Sequence, residues 1–370
     1  MHTVAHGTLI AGLALLVACG ENPTGTALPA DAVAFHRARG TERVTVMTQN
    51  LYVGADLDAV IAALADDDPT NDVPALVSAL ATEDTTSFPA RAGAVAAAIA
   101  KHRPDVVGLQ EVSEIHVDLT GLGLPYVFNE DFLPILMDSL AARGLHYAVA
   151  AKVKSIDASP VPGIELKDND AMLVNADRAT VESTVEKVYD YNVGEVAPNV
   201  ALLSAFVKVG ARIDGRLYWF ASTHLESDVA PAYLNELRAA QAAELAATMG
   251  DETPAFIMGD LNDDPGSLMY QVLEQAGFQD VWAELRPGEI GFTNAHLLDL
   301  SDTIAPFDRR IDFIFARGMG HPVAGMQGQI TRVGMLPSDR VDGPYYKIWA
   351  SDHAGLVATL QVPPAHGVTP

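Results

Sequence analysis

The sequence predicts an α/β domain in which helices cover a mixed β-sheet, or two such sheets. Short runs rich in Val, Ile, Leu and Phe, such as "RVTVMTQNL" and "AFIMGD", recur along the chain and are typical of buried strands. Ala- and Leu-rich segments with helical spacing lie between several of these runs. Two runs on either side of "GARIDGR" are close enough in sequence to form an antiparallel hairpin. Both kinds of connection together indicate a mixed sheet.

The predicted elements begin at Arg43. The first strand ends near Asn50, and two Ala/Leu-rich segments follow it, Leu57–Ala65 and Pro74–Ala81. The segment "PARAGAVAAAIAKHRPD" predicts a helix that ends at Arg103, because the residue before a proline is disfavoured in a helix. Further elements are a helix at Tyr233–Met249 and strands at "DVVGLQEV", Tyr147–Val153, Ala171–Val174, Leu202–Val209, Leu217–His224, Ala255–Asp260, Ile311–Ala316 and Gly355–Val362.

We expect one folded domain, residues 43–362, followed by a tail at 363–370. Of the 370 residues, 49% are hydrophobic, which supports a packed core. The 48 acidic residues outnumber the 23 basic ones and give a formal net charge of −25. This charge disfavours a broad basic face for nucleic acid but permits a metal-bridged contact with one phosphate. The single cysteine excludes an intrachain disulfide and a Cys-based zinc site.

The N-terminal segment is typical of an exported bacterial lipoprotein. The run "LIAGLALLVACG" has the length of a secretory apolar region and is too short to span a bilayer. Its last residues, Leu16–Cys19, resemble a lipobox. We therefore expect a signal peptide at 1–18, lipidation of Cys19, a flexible tether at 19–42 and a location at the cell envelope, with the membrane as a partner. One feature is atypical of a signal peptide, because the first residues, "MHTVAH", lack the usual Lys or Arg. The alternative is a buried cysteine in a short core helix.

Polar side chains stand at the ends of most predicted strands. Strand ends hold side chains rigidly and meet at one edge of a sheet, so we expect these groups to converge in one crevice. Asn, Glu and Asp oxygens are ligands that Mg²⁺ and Mn²⁺ prefer. The residues concerned are Asn50, Glu111, His224, Asp260, Asn262, Asp312, Asp352 and His353.

Signature motifs of several other enzyme classes are missing from the sequence. It contains no HExxH, G-x-S-x-G, Walker P-loop or G-x-G-x-x-G, which argues against a zinc protease, a serine hydrolase, an NTPase and a dinucleotide-binding enzyme. Asp260-x-Asn262-x-Asp264 begins like an EF-hand loop, but Pro265 and Gln271 replace the required Gly and Glu. An Asx-turn before a helix at 266–275 is the plain alternative for this segment.

Six motifs in order resemble those of the endonuclease/exonuclease/phosphatase superfamily. They are "TQNL", "LQEV", "STHLES", "GDLND", "RRIDFIF" and "SDHAGLVATL", and they span nearly the whole predicted domain. The resemblance implies a four-layer α/β sandwich, with two mixed sheets packed face to face and helices outside. It also implies a metal-dependent phosphoesterase.

The same resemblance implies a metal site. Glu111 would be the principal ligand of Mg²⁺ or Mn²⁺, with Asn50 and Asp352 beside it. Taken singly, a Glu or Asn at a strand end is more often a solvated end or part of a turn.

Roles in catalysis also follow from the resemblance. His353 would be the base-side histidine and Asp312 the carboxylate that orients it, while Asp260 and Asn262 would position the attacking water. His224 would donate hydrogen bonds to the phosphoryl group. Whether the Asp or the His takes the proton of the water stays open.

Two features depart from the family pattern. "KDNDAMLVNADR" places Asp170 where relatives usually carry a small or polar residue, and this carboxylate would either bind a second metal or cap a turn. An insertion from Asp56 to Pro89 separates the first strand from the first helix, and the sequence gives no function for it.

The predicted activity is hydrolysis of a phosphodiester or phosphomonoester by in-line attack of water. Because the chain is strongly acidic, we expect a short ester or a lipid head group to be a better substrate than long nucleic acid. One alternative is a surface-anchored extracellular nuclease. Another is a non-catalytic lipid-anchored binding protein on the same fold, which should lack Glu111, Asp260 or His353, and all three are present.

Overall fold

A computed structural model describes residues 42–66, 68–227, 233–321 and 325–363. The predicted signal peptide, Cys19 and all but the last residue of the predicted tether lie outside this part of the chain. Within it, no helix has both the length and the apolar character needed to cross a lipid bilayer.

The described chain alternates helices and strands. The helices are α1 (Leu57–Ala65), α2 (Pro69–Thr86), α3 (Phe88–His102), α4 (Phe132–Ala141), α5 (Leu234–Met249), α6 (Leu268–Gln275) and α7 (Val281–Leu285). The first ten strands are β1 (Arg43–Asn50), β2 (Val106–Gln110), β3 (Glu114–Asp118), β4 (Val127–Asp131), β5 (Tyr147–Ala158), β6 (Ile164–Asn175), β7 (Ala179–Val188), β8 (Gly194–Ala197), β9 (Val200–Leu202) and β10 (Ala205–Ile213). The remaining strands are β11 (Arg216–His224), β12 (Ala255–Asp260), β13 (Gln279–Asp280), β14 (Asp312–Arg317), β15 (Gly320–His321), β16 (Gly325–Met326), β17 (Gly328–Val333), β18 (Val341–Asp342), β19 (Lys347–Ile348) and β20 (Gly355–Gln361).

Most strands belong to two mixed sheets. The first sheet has the order β17-β20-β1-β2-β6-β5-β9-β8, and β3 extends it beside β6 and pairs with β4. The second has the order β13-β14-β12-β11-β10-β7. In the first sheet β1 runs parallel to β2 and antiparallel to β20. In the second, β11 runs parallel to β12 and antiparallel to β10, so the expected hairpin around "GARIDGR" is confirmed.

The two sheets pack face to face around a central apolar core. Val46 and Val106 of the first sheet share this core with Val207, Phe220 and Phe256 of the second. A second apolar cluster joins α3 and α4 to the outer face of the first sheet, and a third joins α5 and α6 to the outer face of the second. The four-layer sandwich is therefore confirmed, and burial of these faces is the main driving force for it.

Two strands are longer than the sequence predicts, and one predicted strand is divided in two. β5 and β6 continue beyond the expected Tyr147–Val153 and Ala171–Val174. The expected strand Leu202–Val209 is divided between β9 and β10. The strand β7 was not predicted, because most of its side chains are exposed at the sheet edge and apolar burial no longer shapes its sequence.

The insertion between β1 and α3 folds into α1 and α2. Asp56 caps the start of α1 by accepting a hydrogen bond of 2.9 Å from the Ala59 N–H, and Asp68 does the same for α2 with Thr70 at 3.1 Å. Near the end of α2, the Thr86 hydroxyl donates to the Gly54 carbonyl at 2.9 Å. The insertion is therefore fastened to the loop that follows Asn50.

Candidate active site

The polar strand ends converge on one cleft with a volume of about 260 Å³. Six of the predicted site residues line it, and Asn50 and Asp312 are joined to lining residues by hydrogen bonds. The six are Glu111, His224, Asp260, Asn262, Asp352 and His353. They meet because β1, β2, β11 and β12 end at this edge, where β14 begins and the segment before β20 arrives.

Local backbone geometry supports this convergence. Glu111 and Asn262 have φ values of 53° and 54°, in the left-handed region that non-glycine residues rarely adopt. Gly259 has a φ of 151°, and a Cβ there would lie 1.9 Å from the carbonyl oxygen of Thr223. This glycine therefore permits the close pairing of β11 and β12 that sets His224 opposite Asp260.

Asn50 bridges two carboxylates. Its Nδ2 donates to Glu111 Oε1 at 2.8 Å and to Asp260 Oδ2 at 3.1 Å, while its Oδ1 accepts from the Tyr52 N–H at 2.8 Å. The Val53 N–H donates to Glu111 Oε2 at 2.6 Å. Both oxygens of Glu111 are therefore fixed in direction before any ligand binds.

His353 and Asp312 form a buried pair. The His353 Nδ1 lies 2.9 Å from Asp312 Oδ2, and the two residues are 5% and 1% exposed. Burial alone would lower the pKa of His353, but the carboxylates of Asp312, Asp352 and Asp260 raise it well above its usual range. On the other side of the ring, the Asn294 amide lies 2.8 Å from Nε2. An amide can pair with either protonation state of this nitrogen, through its NH₂ group or its oxygen.

Asp260, Asn262 and His224 form a second group. The Asn262 N–H donates to Asp260 Oδ1 at 3.0 Å, and the Asn262 amide nitrogen lies 2.9 Å from His224 Nε2. His224 Nε2 and His353 Nε2 lie 3.6 and 3.7 Å from the same oxygen, Asp260 Oδ2. Burial opposes protonation of His224, but Asp260, Glu111 and further carboxylates raise its pKa to about 9.

The cleft carries an excess of negative charge that suits a divalent cation. Burial, with the carboxylates of Glu111 and Asp260, raises the pKa of Asp352 to about 7, against the opposing effect of His353. Acidic side chains outnumber histidines around the cleft, and the oxygens of Glu111 and Asp352 are the donors that Mg²⁺ or Mn²⁺ prefers. Potential ligand atoms of Asp260, Asp312 and His353 also lie within 4.8 Å of one another. The residues present therefore fit a bound divalent metal.

Asp170 is not part of the cleft lining. It is fully buried within β6, so the turn-capping alternative is wrong. Neither of its carboxyl oxygens has a hydrogen-bond partner. Burial is the main reason that its pKa is raised well above the usual range, although His224 opposes this shift.

Three residues at the cleft are not among the site residues predicted from the sequence. Asn294 comes from the long connection between α7 and β14, and Arg309, from the same connection, contributes a cationic side chain to the cleft lining. Asp168 also lines the cleft and accepts hydrogen bonds from Ser113 at 2.6 Å and Ser155 at 3.3 Å. Asn294 and Arg309 follow no apolar strand, so the strand-end pattern could not identify them.

The comparisons with known proteins agree with this architecture. A sequence model of the Endonuclease/Exonuclease/phosphatase family matches residues 47–353. The chain is similar to the endonuclease/exonuclease/phosphatase from Beutenbergia cavernae DSM 12333, with 20% identity, coverage of 87% of this chain and 72% of that one, and a TM-score of 0.55. It is also similar to an endonuclease/exonuclease/phosphatase family protein from Bacteroides thetaiotaomicron, with 16% identity, coverage of 88% of this chain and 97% of that one, and a TM-score of 0.54.

Humanized D. rerio TDP2 shares the fold at a similar level. It is 16% identical, with coverage of 86% of this chain and 98% of that one and a TM-score of 0.52. No curated protein matches the sequence. The family match covers most of the chain and includes all the strand ends that form the cleft. The chain therefore belongs to the endonuclease/exonuclease/phosphatase family.

Proposed function

We propose that the protein is a divalent-metal-dependent phosphoesterase. Its substrate would be a short phosphodiester, a phosphomonoester or the phosphoester of a lipid-like head group. The observation that carries this proposal is the convergence of Glu111, Asp352 and Asp260 with His224 and His353 in one cleft. Oxygen ligands beside two imidazoles suit the transfer of a phosphoryl group to water.

Glu111 and Asp352 would hold Mg²⁺ or Mn²⁺. The Asn50 amide supports this role, because it fixes the direction of the Glu111 carboxylate through its 2.8 Å hydrogen bond. When bound, the cation would neutralise charge on the phosphoryl oxygens and on the leaving oxygen.

The other polar residues would orient water and substrate. Asp260 Oδ2 and His353 Nε2 lie 3.7 Å apart, so one water molecule to the side of this pair would be in contact with both. The Asp260 carboxylate can take its proton as the water attacks phosphorus, and His353 can do so only in its neutral form. Asp312 would stabilise the imidazolium form of His353, and His224 would donate a hydrogen bond to a phosphoryl oxygen.

The charge around the cleft supports a short substrate. Among the described residues that line the cleft, Arg309 is the only arginine or lysine. A nuclease that follows a long backbone needs several cations along its track, and the formal net charge of −25 opposes approach of a polyanion. An extracellular nuclease is the second candidate, since bound metal ions would reduce this repulsion.

A substrate panel tests this proposal. Initial rates are measured on bis-p-nitrophenyl phosphate, plasmid DNA, sphingomyelin and inositol phosphates, with Mg²⁺, with Mn²⁺ and with chelator. We expect metal-dependent turnover of a small or lipid-like ester at a higher rate than of plasmid. Rapid plasmid nicking with little turnover of the small esters would favour the nuclease, and no turnover of any ester would favour a binding protein.

We also propose that the protein is exported and anchored at the cell envelope. The support is the sequence Leu16–Cys19, with its lipobox-like pattern and the apolar run before it. Wild-type protein should partition into detergent with the membrane fraction, and Cys19→Ser should be released or remain unprocessed. Wild-type protein found wholly in the soluble cytoplasmic fraction would contradict the proposal.

A further inference from the structure

A second cavity lies between the insertion and the outer face of the first sheet. Its volume is about 80 Å³, and apart from Glu83 and Glu165 its lining side chains are aliphatic. From the sheet, Ile115 and Val117 of β3 and Ile156 and Ala158 of β5 contribute to it. We call this cavity the apolar pocket.

The two helices of the insertion form the other wall. Leu57, Val60, Ile61 and Leu64 of α1 line the apolar pocket, and so do Leu76, Ala79, Leu80 and Glu83 of α2. In each helix these residues follow the spacing i, i+3, i+4 and i+7, which places them on one face. Both apolar faces are thus turned toward the cavity.

The apolar pocket lies next to the cleft. Val53, Ala55, Leu57, Ile61 and Ile156 line both cavities. Val53 is also the residue whose N–H donates to Glu111 Oε2. The apolar pocket is therefore adjacent to the residues that surround a ligand bound in the cleft.

We propose that the apolar pocket binds an unbranched hydrocarbon chain carried by the phosphoester substrate. This inference rests on the proposed phosphoesterase function and specifies its substrate class as an alkyl- or acyl-bearing phosphoester. Aliphatic walls favour a hydrocarbon chain because its burial removes apolar surface from water, whereas a sugar or a nucleobase would lose hydrogen bonds with water there.

Glu83 is a buried carboxylate in the lining of the apolar pocket. It is 2% exposed, and neither of its carboxyl oxygens has a hydrogen-bond partner. Its Oε2 lies so close to Gly54 that a Cβ at this glycine would be 1.9 Å away. Glu83 therefore packs against the loop that carries Tyr52 and Val53, two residues of the cleft lining.

Chain-length dependence tests the inference. The substrates are p-nitrophenyl phosphodiesters with methyl, butyl, octyl and dodecyl groups, used as monomers with Mg²⁺. Each methylene that enters the apolar pocket should raise kcat/KM about fourfold, until the pocket is filled. Hydrolysis of the methyl ester with no dependence on chain length would overturn this inference while leaving the phosphoesterase proposal intact. Failure to hydrolyse any ester would overturn both.

Substitutions in α2 test whether the apolar pocket itself causes the chain-length dependence. Ala79→Phe should occupy the pocket and bring the ratio of kcat/KM for the octyl ester to kcat/KM for the methyl ester close to one. Ala81→Phe is the matched control, because Ala81 is an exposed residue of the same helix outside the pocket lining. Equal effects of the two substitutions would contradict the inference.

An enlarged pocket gives an independent readout if Ala79→Phe does not fold. Leu76→Ala removes a buried side chain from the lining, so the rise in kcat/KM should continue to longer chains than in the wild type. An unchanged chain-length profile would count against the pocket. A rate advantage seen only with vesicles, and never with monomeric esters, would also overturn the inference, because it would place recognition at a membrane surface.

Discussion

The pairing of His353 with Asp312 gives a prediction whose size follows from the structure. The two side chains share a 2.9 Å hydrogen bond in a site that is almost closed to solvent. A hydrogen bond to a charged partner contributes about 1.5–3 kcal/mol, and 1.36 kcal/mol changes a rate tenfold. Asp312→Asn should therefore lower kcat/KM by about 10- to 150-fold, and His353→Ala by about a hundredfold or more.

The double variant carries the argument. Because Asp312 acts through His353, Asp312→Asn should cause little further loss once His353 is Ala. The Asn substitution should be accommodated, since Asp312 Oδ1 has no hydrogen-bond partner to lose. The assay is steady-state hydrolysis of bis-p-nitrophenyl phosphate by all four proteins, with thermal unfolding as the check on folding. Losses that multiply in the double variant would show that Asp312 does not act through His353.

Three further predictions concern the frame around the cleft. Arg91 is fully buried and donates hydrogen bonds to the carbonyls of Leu51, Tyr52, Thr86 and Ala350. Arg91→Met should therefore lower the free energy of unfolding, measured in urea, by about 3–5 kcal/mol. A loss below about 1 kcal/mol would contradict this role. Burial raises the pKa of Glu83 from 4.5 to about 8, against the effect of Arg91. The folded state thus holds a proton that the unfolded state releases, and stability should fall as pH rises from about 4.5 to 8. The fall should be smaller in Glu83→Gln, and equal slopes in the two proteins would refute this assignment. Gly259→Ala should lower both the melting temperature and kcat, because a Cβ meets the Thr223 carbonyl, and a variant with wild-type values would refute the packing argument.

Much of the site could be predicted from the sequence because strand ends impose convergence. Asn50, Asp260 and Asp312 belong to apolar strands, and Glu111 directly follows one, so their approach follows once the strands pair. Asn294 comes from a long connection, and only tertiary packing brings it to His353. Apolar patterns show which elements are buried, but they do not show which side chains of long connections pack against the strand ends.

The insertion illustrates a second limit. The spacing of apolar residues in α1 and α2 shows that each helix has an apolar face. The spacing does not show whether other side chains of the protein fill the space next to that face, because this depends on the distance between the helices and the sheet. The apolar pocket therefore could not be predicted from the sequence.

Metal dependence tests the proposed phosphoesterase function most directly. Initial rates on bis-p-nitrophenyl phosphate are measured after exhaustive chelation and again during titration with Mg²⁺ or Mn²⁺, for the wild type and for Glu111→Gln. If Glu111 holds the metal, activity should vanish with chelator and return with metal, and Glu111→Gln should need at least about tenfold more metal. Full activity of the chelated wild type, or the same metal requirement in both proteins, would contradict this role of Glu111.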